Sequence, residues 1–383
     1  MSAKLILPTL SLSVFYFIWY FSYINGLKTL GDATVLAKKL PGLNEPLRLE
    51  YTGVEPVDWM LVQLTTFFWP LADGSQPGLL LHSIAFSGTF CSAWILVTLE
   101  SWRKGNARTV AAFPAFLGIV AQLLTFAFAA PLYGYLHLTR AATASKPNSK
   151  NMRIPHGVIK AIPHVFTVGM LVPSMLMIAP LSEIVTYDLK QILVAIWQPW
   201  PAYVAILLVL AHYTVGGFFS DVDTPANNRK IRSSLRYVYA FAFANTAISH
   251  IITWSVSLAT AVVPGIFQEK YADVLHPRRV FETFLPWTSP ALKVATVGQG
   301  VQVFLRWDYL IGSAGVLIWS ISLYRSAHRA ANVKVGLLEL ATKVIALSAL
   351  SSPVGAAVEL MWEREELFLQ DVEKPAKAGS SKK

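Results

Sequence analysis

Residues 301–324 read VQVFLRWDYLIGSAGVLIWSISLY, long and apolar enough to cross a bilayer as a helix, yet they carry Arg306 and Asp308. On a helix, Asp308, Gly312, Gly315, Trp319 and Ser322 recur at the 4-3-4-3 spacing that keeps side chains on one narrow face. That stripe holds a carboxylate, two gaps, an indole and a hydroxyl. Arg306 is two residues from Asp308 and projects to roughly the opposite side, so the two charges do not neutralise each other. Two readings of Asp308 follow. Either it caps a helix that begins near Tyr309, with the glycines admitting a close neighbour, or it is an acid in the wall of a cavity.

The rest of the composition agrees with a membrane setting. The chain has 383 residues, 54% hydrophobic and 14% charged, with a mean hydropathy of +0.48. These values exclude an ordinary soluble domain and make the lipid bilayer a partner. The net charge of +10 sits in short loops between apolar runs, where it sets topology and meets lipid headgroups, so no nucleic-acid partner is implied. The single cysteine, Cys91, lies in an apolar run and supports neither a disulfide framework nor a zinc site. Residues 5–24 are too long and too aromatic for a cleaved signal and read as a retained span. The chain divides into one membrane domain, 1–361, and a polar, disordered tail, 362–383, ending EKPAKAGSSKK.

The fold class is all-α, a polytopic integral membrane helical bundle with eight or nine transmembrane helices, because an open strand edge cannot be satisfied in lipid. After residues 5–24, spans are expected at 78–99, 110–132, 165–181, 203–219, 237–263, 301–324 and 335–361. Residues 58–70 form a helix that lies in the interface or just reaches across, and it decides between eight and nine. Three basic clusters, Arg140 to Lys160, Arg229 to Arg236 and Arg325 to Lys334, fall on one face, taken as cytoplasmic. In this scheme Arg103, Lys104 and Arg108 fall on the wrong side.

Several constellations invite chemistry. In the last span Ser348, Ser352, Gly355 and Glu359 share a face, while Glu339 and Lys343, one turn apart, pair with each other. Tyr239, Thr246, His250, Trp254 and Ser257 line another partly polar face. Asp221 and Asp223 form a DVD that reads as a helix terminus, since a metal–diphosphate site needs a second acidic cluster. Glu183 reads as a solvated loop acid. The eight histidines show no di-iron grouping, and no GxSxG elbow, P-loop or HExxH occurs. Among 12 tryptophans, Trp94, Trp254 and Trp319 fall mid-span. A carboxylic acid kept neutral by apolar surroundings, with aromatic faces beside it, suits the making and holding of a carbocation away from water. Ordinary helix packing explains most rings equally well.

The runs LRWDYLIGSAGVLIWSISLYR (305–325), VGMLVPSMLMIAP (168–180) and WQPWPAY (197–203) resemble the fungal membrane-bound terpene cyclases of meroterpenoid pathways, the group of the ascofuranone, ascochlorin and macrophorin cyclases. The resemblance runs from about Val165 to Met361. It implies an integral membrane enzyme, in the endoplasmic reticulum, that cyclises a prenyl chain, usually farnesyl, on a polyketide-derived ring after protonating a terminal epoxide or olefin. The implied partners are a lipophilic prenylated substrate and other pathway enzymes in the same membrane; no cofactor and no metal is implied. By analogy and helical geometry, Asp308 is the proton donor or the residue that orients it, with Glu359 second, while Trp254, Tyr309, Trp319 and His250 contact substrate. The alternatives are a transporter of a small hydrophobic metabolite, and a scaffold in which Asp308 and Glu359 only pair with Arg306 or Lys343.

Overall fold

The computed structural model describes residues 2–369, in which every element is helical apart from one isolated bridge between Lys39 and Pro46. The helices are α1 (Ala3–Ile24), α2 (Leu27–Ala37), α3 (Glu55–Ala72), α4 (Pro77–Ser101), α5 (Pro114–Leu123), α6 (Phe126–Arg140), α7 (His156–Met177), α8 (Tyr187–Trp197), α9 (Trp200–Thr214), α10 (Pro225–Val262), α11 (Val297–Ala330), α12 (Leu337–Ser351) and α13 (Pro353–Leu369), with short turns between. Four of them, α1, α4, α7 and α11, are long and apolar enough to cross a membrane. The pair α8 and α9, bent by 59°, makes a fifth if counted as one span.

The basic loops meet at one end of the bundle. There the amides of Lys104 and Gly105 donate to the carbonyls of Arg153 and Asn151, both at 2.9 Å, and Ser326 donates to Ala144. At the other end the amide of Val294 donates to Asn25, and Ser257 to Leu275. Helices α4, α6 and α11 all run toward the basic end; α10 runs antiparallel to α4, placing Ser249 against Gly88 and Thr253 against Leu81.

Two expected spans are not single helices. Residues 110–132 break at Leu124–Thr125, where Thr125 has φ +152°, and α5 and α6 form a hairpin that enters from the basic end and returns to it. This also corrects the side given to Arg103, Lys104 and Arg108: the loop they occupy lies with Arg153, because the chain between them turns back. Residues 335–361 break likewise at Ser352, φ +80°, ahead of Pro353, which cannot donate to a preceding turn. Ser348 and Ser352 therefore do not share one continuous helical face with Gly355 and Glu359.

Helix α3 starts and ends on the face opposite the basic loops: Arg48, shortly before it, pairs with Asp188 of α8, which follows the far end of α7, and Pro70 near its end lies against Gly298 at the start of α11. Its Trp69 and Phe68 rings pack on Tyr187 and Trp197 of α8. Helix α13 continues through Leu369, with Arg364 and Glu365 buried, so the polar tail expected from residue 362 is helical up to there; residues 370–383 lie outside the described residues.

Candidate active site

The four residues Arg306-Trp307-Asp308-Tyr309, in the first half of α11, each hold a different part of the molecule. Arg306 is buried and donates to the backbone carbonyls of Arg279, Val280 and Glu282, at the C-terminal end of the short helix Pro277–Phe281. Trp307 Nε1 donates to the Phe284 carbonyl at 2.9 Å. Asp308 is 5% exposed, and its Oδ1 accepts from the amide of Ala127 at 2.6 Å, in the first turn of α6. It is thus a cap, but of a neighbouring helix and not of its own. The Tyr309 hydroxyl lies beside the hydroxyls of Thr89 of α4 and Ser352, the residue that precedes α13.

Below Asp308 the stripe seen in the sequence is a packing seam against α6. A Cβ at Gly312 would overlap the ring of Phe126, and one at Gly315 the ring of Pro131, while Gly134 of α6 faces Trp319. Trp319 is 1% exposed, and its Nε1 donates to His137 Nδ1 at 3.1 Å. That bond leaves the proton of neutral His137 on Nε2, 3.2 Å from Glu100 Oε2. Glu100 also meets Arg103 and Arg364, each at 2.6 Å, and Arg103 meets Glu365 at 2.5 Å. All four charged side chains are buried and tie α4 to α13.

A cavity of about 260 Å³ opens on the other side of α11, between α4, α10, α12 and the start of α13. Its wall includes His82, His250, Trp254, Phe281, Arg306 and Tyr309. Trp254 stacks on Phe281 with ring centres 4.0 Å apart, and His82 meets Tyr309 edge-on at 5.7 Å. The wall of this cavity carries no carboxylate.

Of the residues singled out from sequence, the cavity gathers Trp254, Tyr309 and His250, together with Arg306 and Ser348. Asp308 and Trp319 lie in the α6 seam, and Glu359 is half-buried in α13 away from the wall. Lys343 pairs with Glu363 at 2.7 Å rather than with Glu339, because α13 folds back alongside α12. Neither Asp308 nor Glu359 forms an ion pair with Arg306 or Lys343. Asp221 accepts from the amide of His156 and Asp223 pairs with Arg153, as befits helix ends, and Glu183 is exposed. No group of three or more metal-ligating side chains occurs among the described residues.

Sequence reasoning missed His82 and Phe281. His82, Ala85 and Thr89 recur at helical spacing within an apolar run, a signal that could have singled out His82. Phe281 sits in a long loop with no periodicity, and only the Arg306 clasp places it.

The CtvD domain pattern matches residues 3–369. A protein of Aspergillus terreus named terpene cyclase ctvD is 29% identical over 91% of this chain and 94% of its own. Terpene cyclase penA of Penicillium crustosum is 28% identical over 93% and 94%, and terpene cyclase janA of Penicillium janthinellum is 31% identical over 82% of each. No solved structure matches. With the pattern covering nearly its whole length, the chain belongs to the CtvD domain family.

Proposed function

We propose that this protein is a membrane-bound terpene cyclase that closes the prenyl chain, farnesyl in our reading, of a meroterpenoid intermediate after protonation of a terminal epoxide or olefin. The observation that carries this reading is the cavity faced by Trp254, Phe281 and Tyr309, in a chain whose relatives are named terpene cyclases. Aromatic faces stabilise a cation that water would quench. Leu310, in the cavity wall, is 44% exposed on the outside of the bundle, so a lipophilic substrate reaches the cavity sideways from lipid. The transporter alternative draws no support from these relatives.

In this mechanism the substrate terminus lies against Tyr309, whose hydroxyl is the proton donor in the wall and is backed by the hydroxyls of Thr89, Ser352 and Thr246. Trp254 and Phe281 hold the cation. Asp308 is a positioning residue: it fixes α6 against α11 and so sets where Tyr309 stands. Glu359 and Trp319 support the fold around the site. The eight apolar segments expected from sequence are all embedded in the bilayer, six crossing it and two, α5–α6 and α12–α13, re-entering from the basic, cytoplasmic face. The membrane is that of the endoplasmic reticulum, shared with enzymes that make and consume the substrate.

The test is mass spectrometry on microsomes from yeast expressing this chain, fed a farnesylated phenol with and without its terminal epoxide. An isomer formed only from the epoxide supports epoxide opening, and one from the olefin supports direct alkene protonation. No new product from either, with folded protein present, overturns the reading.

A further inference from the structure

We infer that His250 is the base that ends the cyclisation, taking a proton from the final carbocation onto Nδ1. The inference rests on the cyclase reading and adds a residue and an atom to it. His250 lies in α10, lines the cavity and is 8% exposed, with Trp254 one turn away and their ring centres 6.1 Å apart. Its Nε2 stands 3.1 Å from the carbonyl oxygen of Ala349 in α12. A carbonyl oxygen only accepts, so Nε2 carries the proton of the neutral ring and Nδ1 keeps its lone pair. That Nδ1 is buried and has no hydrogen-bond partner. An unmet acceptor is a cost to the folded protein that a proton from a bound molecule removes.

The other histidine in the wall lacks this arrangement. His82 Nδ1 is also without a partner, but no carbonyl fixes its tautomer, and its ring is set edge-on to Tyr309, at the acid side of the cavity. His250 instead stands beside the Trp254–Phe281 stack, where the cation is held.

Ring closure leaves a cationic carbon whose neighbours carry acidic C–H bonds. Transfer to Nδ1 breaks one such bond, its electron pair becomes the new C=C, and the imidazole becomes imidazolium with Nε2–H still on Ala349. One proton has entered the substrate and one has left, so the product is an isomer. The imidazolium returns its proton to the donor and both groups are restored.

His250→Gln tests this, because its amide N–H replaces the bond to Ala349 while offering no basic nitrogen. The readout is the ratio of olefinic isomer to water-trapped alcohol in the microsome assay. We expect that ratio to fall about tenfold. His250→Ala, as a second variant, shows the same fall, and added imidazole brings the ratio back. An unchanged ratio in both variants overturns the proposal. So does complete loss of substrate consumption with folded protein in the membrane, which would place His250 at initiation. A wild-type chain that forms no cyclised product fails the cyclase reading itself, whereas an unchanged ratio from an active wild type fails only the role of His250.

Discussion

Asp308 and Tyr309 are consecutive in the chain, yet they support the starts of two different helices: Asp308 accepts from Ala127 at the head of α6, and Tyr309 meets Ser352 at the head of α13. Successive residues of a helix point about 100° apart, so one short stretch of α11 serves both helical hairpins. Each hairpin tip has a non-glycine residue at positive φ, Thr125 and Ser352. Such a backbone is costly unless its surroundings hold it, and these two residues supply the hold.

Substitution separates positioning from proton donation. Asp308→Asn keeps an acceptor for Ala127 and retains turnover within about tenfold, whereas Asp308→Ala loses the cap and about 1–3 kcal/mol of stability. Tyr309→Phe keeps the fold and lowers turnover by roughly a hundredfold or more. Product formation and thermal unfolding in detergent, measured together, check all three. Abolished product in Asp308→Asn with normal stability would move the acid to Asp308.

The seam between α6 and α11 has no room for a methyl group. Gly312→Ala puts a Cβ into the Phe126 ring and lowers stability by about 1–3 kcal/mol. Gly217, which meets nothing within 4 Å, tolerates the same change. Comparing the melting temperatures of the two variants checks this.

The buried cluster at the basic end is sensitive to losing one partner. Arg364→Met leaves Glu100 with less of its neutralising charge and costs about 3–5 kcal/mol. Replacing both residues, Glu100→Gln with Arg364→Met, recovers part of that loss. A double-mutant cycle on unfolding measures it, and additive costs would mean the pair is uncoupled.

The hairpins fix which loops share a face. Cysteines introduced at Arg108, Lys146 and Lys334 react with an impermeant maleimide from the same side of sealed vesicles, and one at Ser182 reacts from the other. Cys91 is buried and does not interfere. Labelling of position 108 from the side of position 182 would restore a full crossing at residues 110–132.

Much of the bundle was legible because apolar length is a local property. The helices around Gly78 to Leu99 and Val301 to Tyr324 stand where hydropathy places them, and the glycine stripe announced a close neighbour. The break at Thr125 was not legible; Pro353, after Ser352, marked a kink in the last helix but not that the chain turns back there. Both breaks lie inside runs apolar enough to continue; Pro353 interrupts the second locally, and partners far away in the chain, Asp308 in one case and Tyr309 in the other, stand against the turned-back segments.

The sequence by itself determined a helical chain with several apolar segments long enough to cross a membrane, basic loops between them, and an acid inside one of those segments. Composition and period decide such matters, because each segment must satisfy its own backbone in the bilayer. Only the tertiary structure decided which face of α11 looks into a cavity and which into a seam. Asp308 and Tyr309 are equally placed by spacing, and their different surroundings arise because α6 covers one face of α11 while α10, α12 and the clasped loop at Phe281 leave the other open.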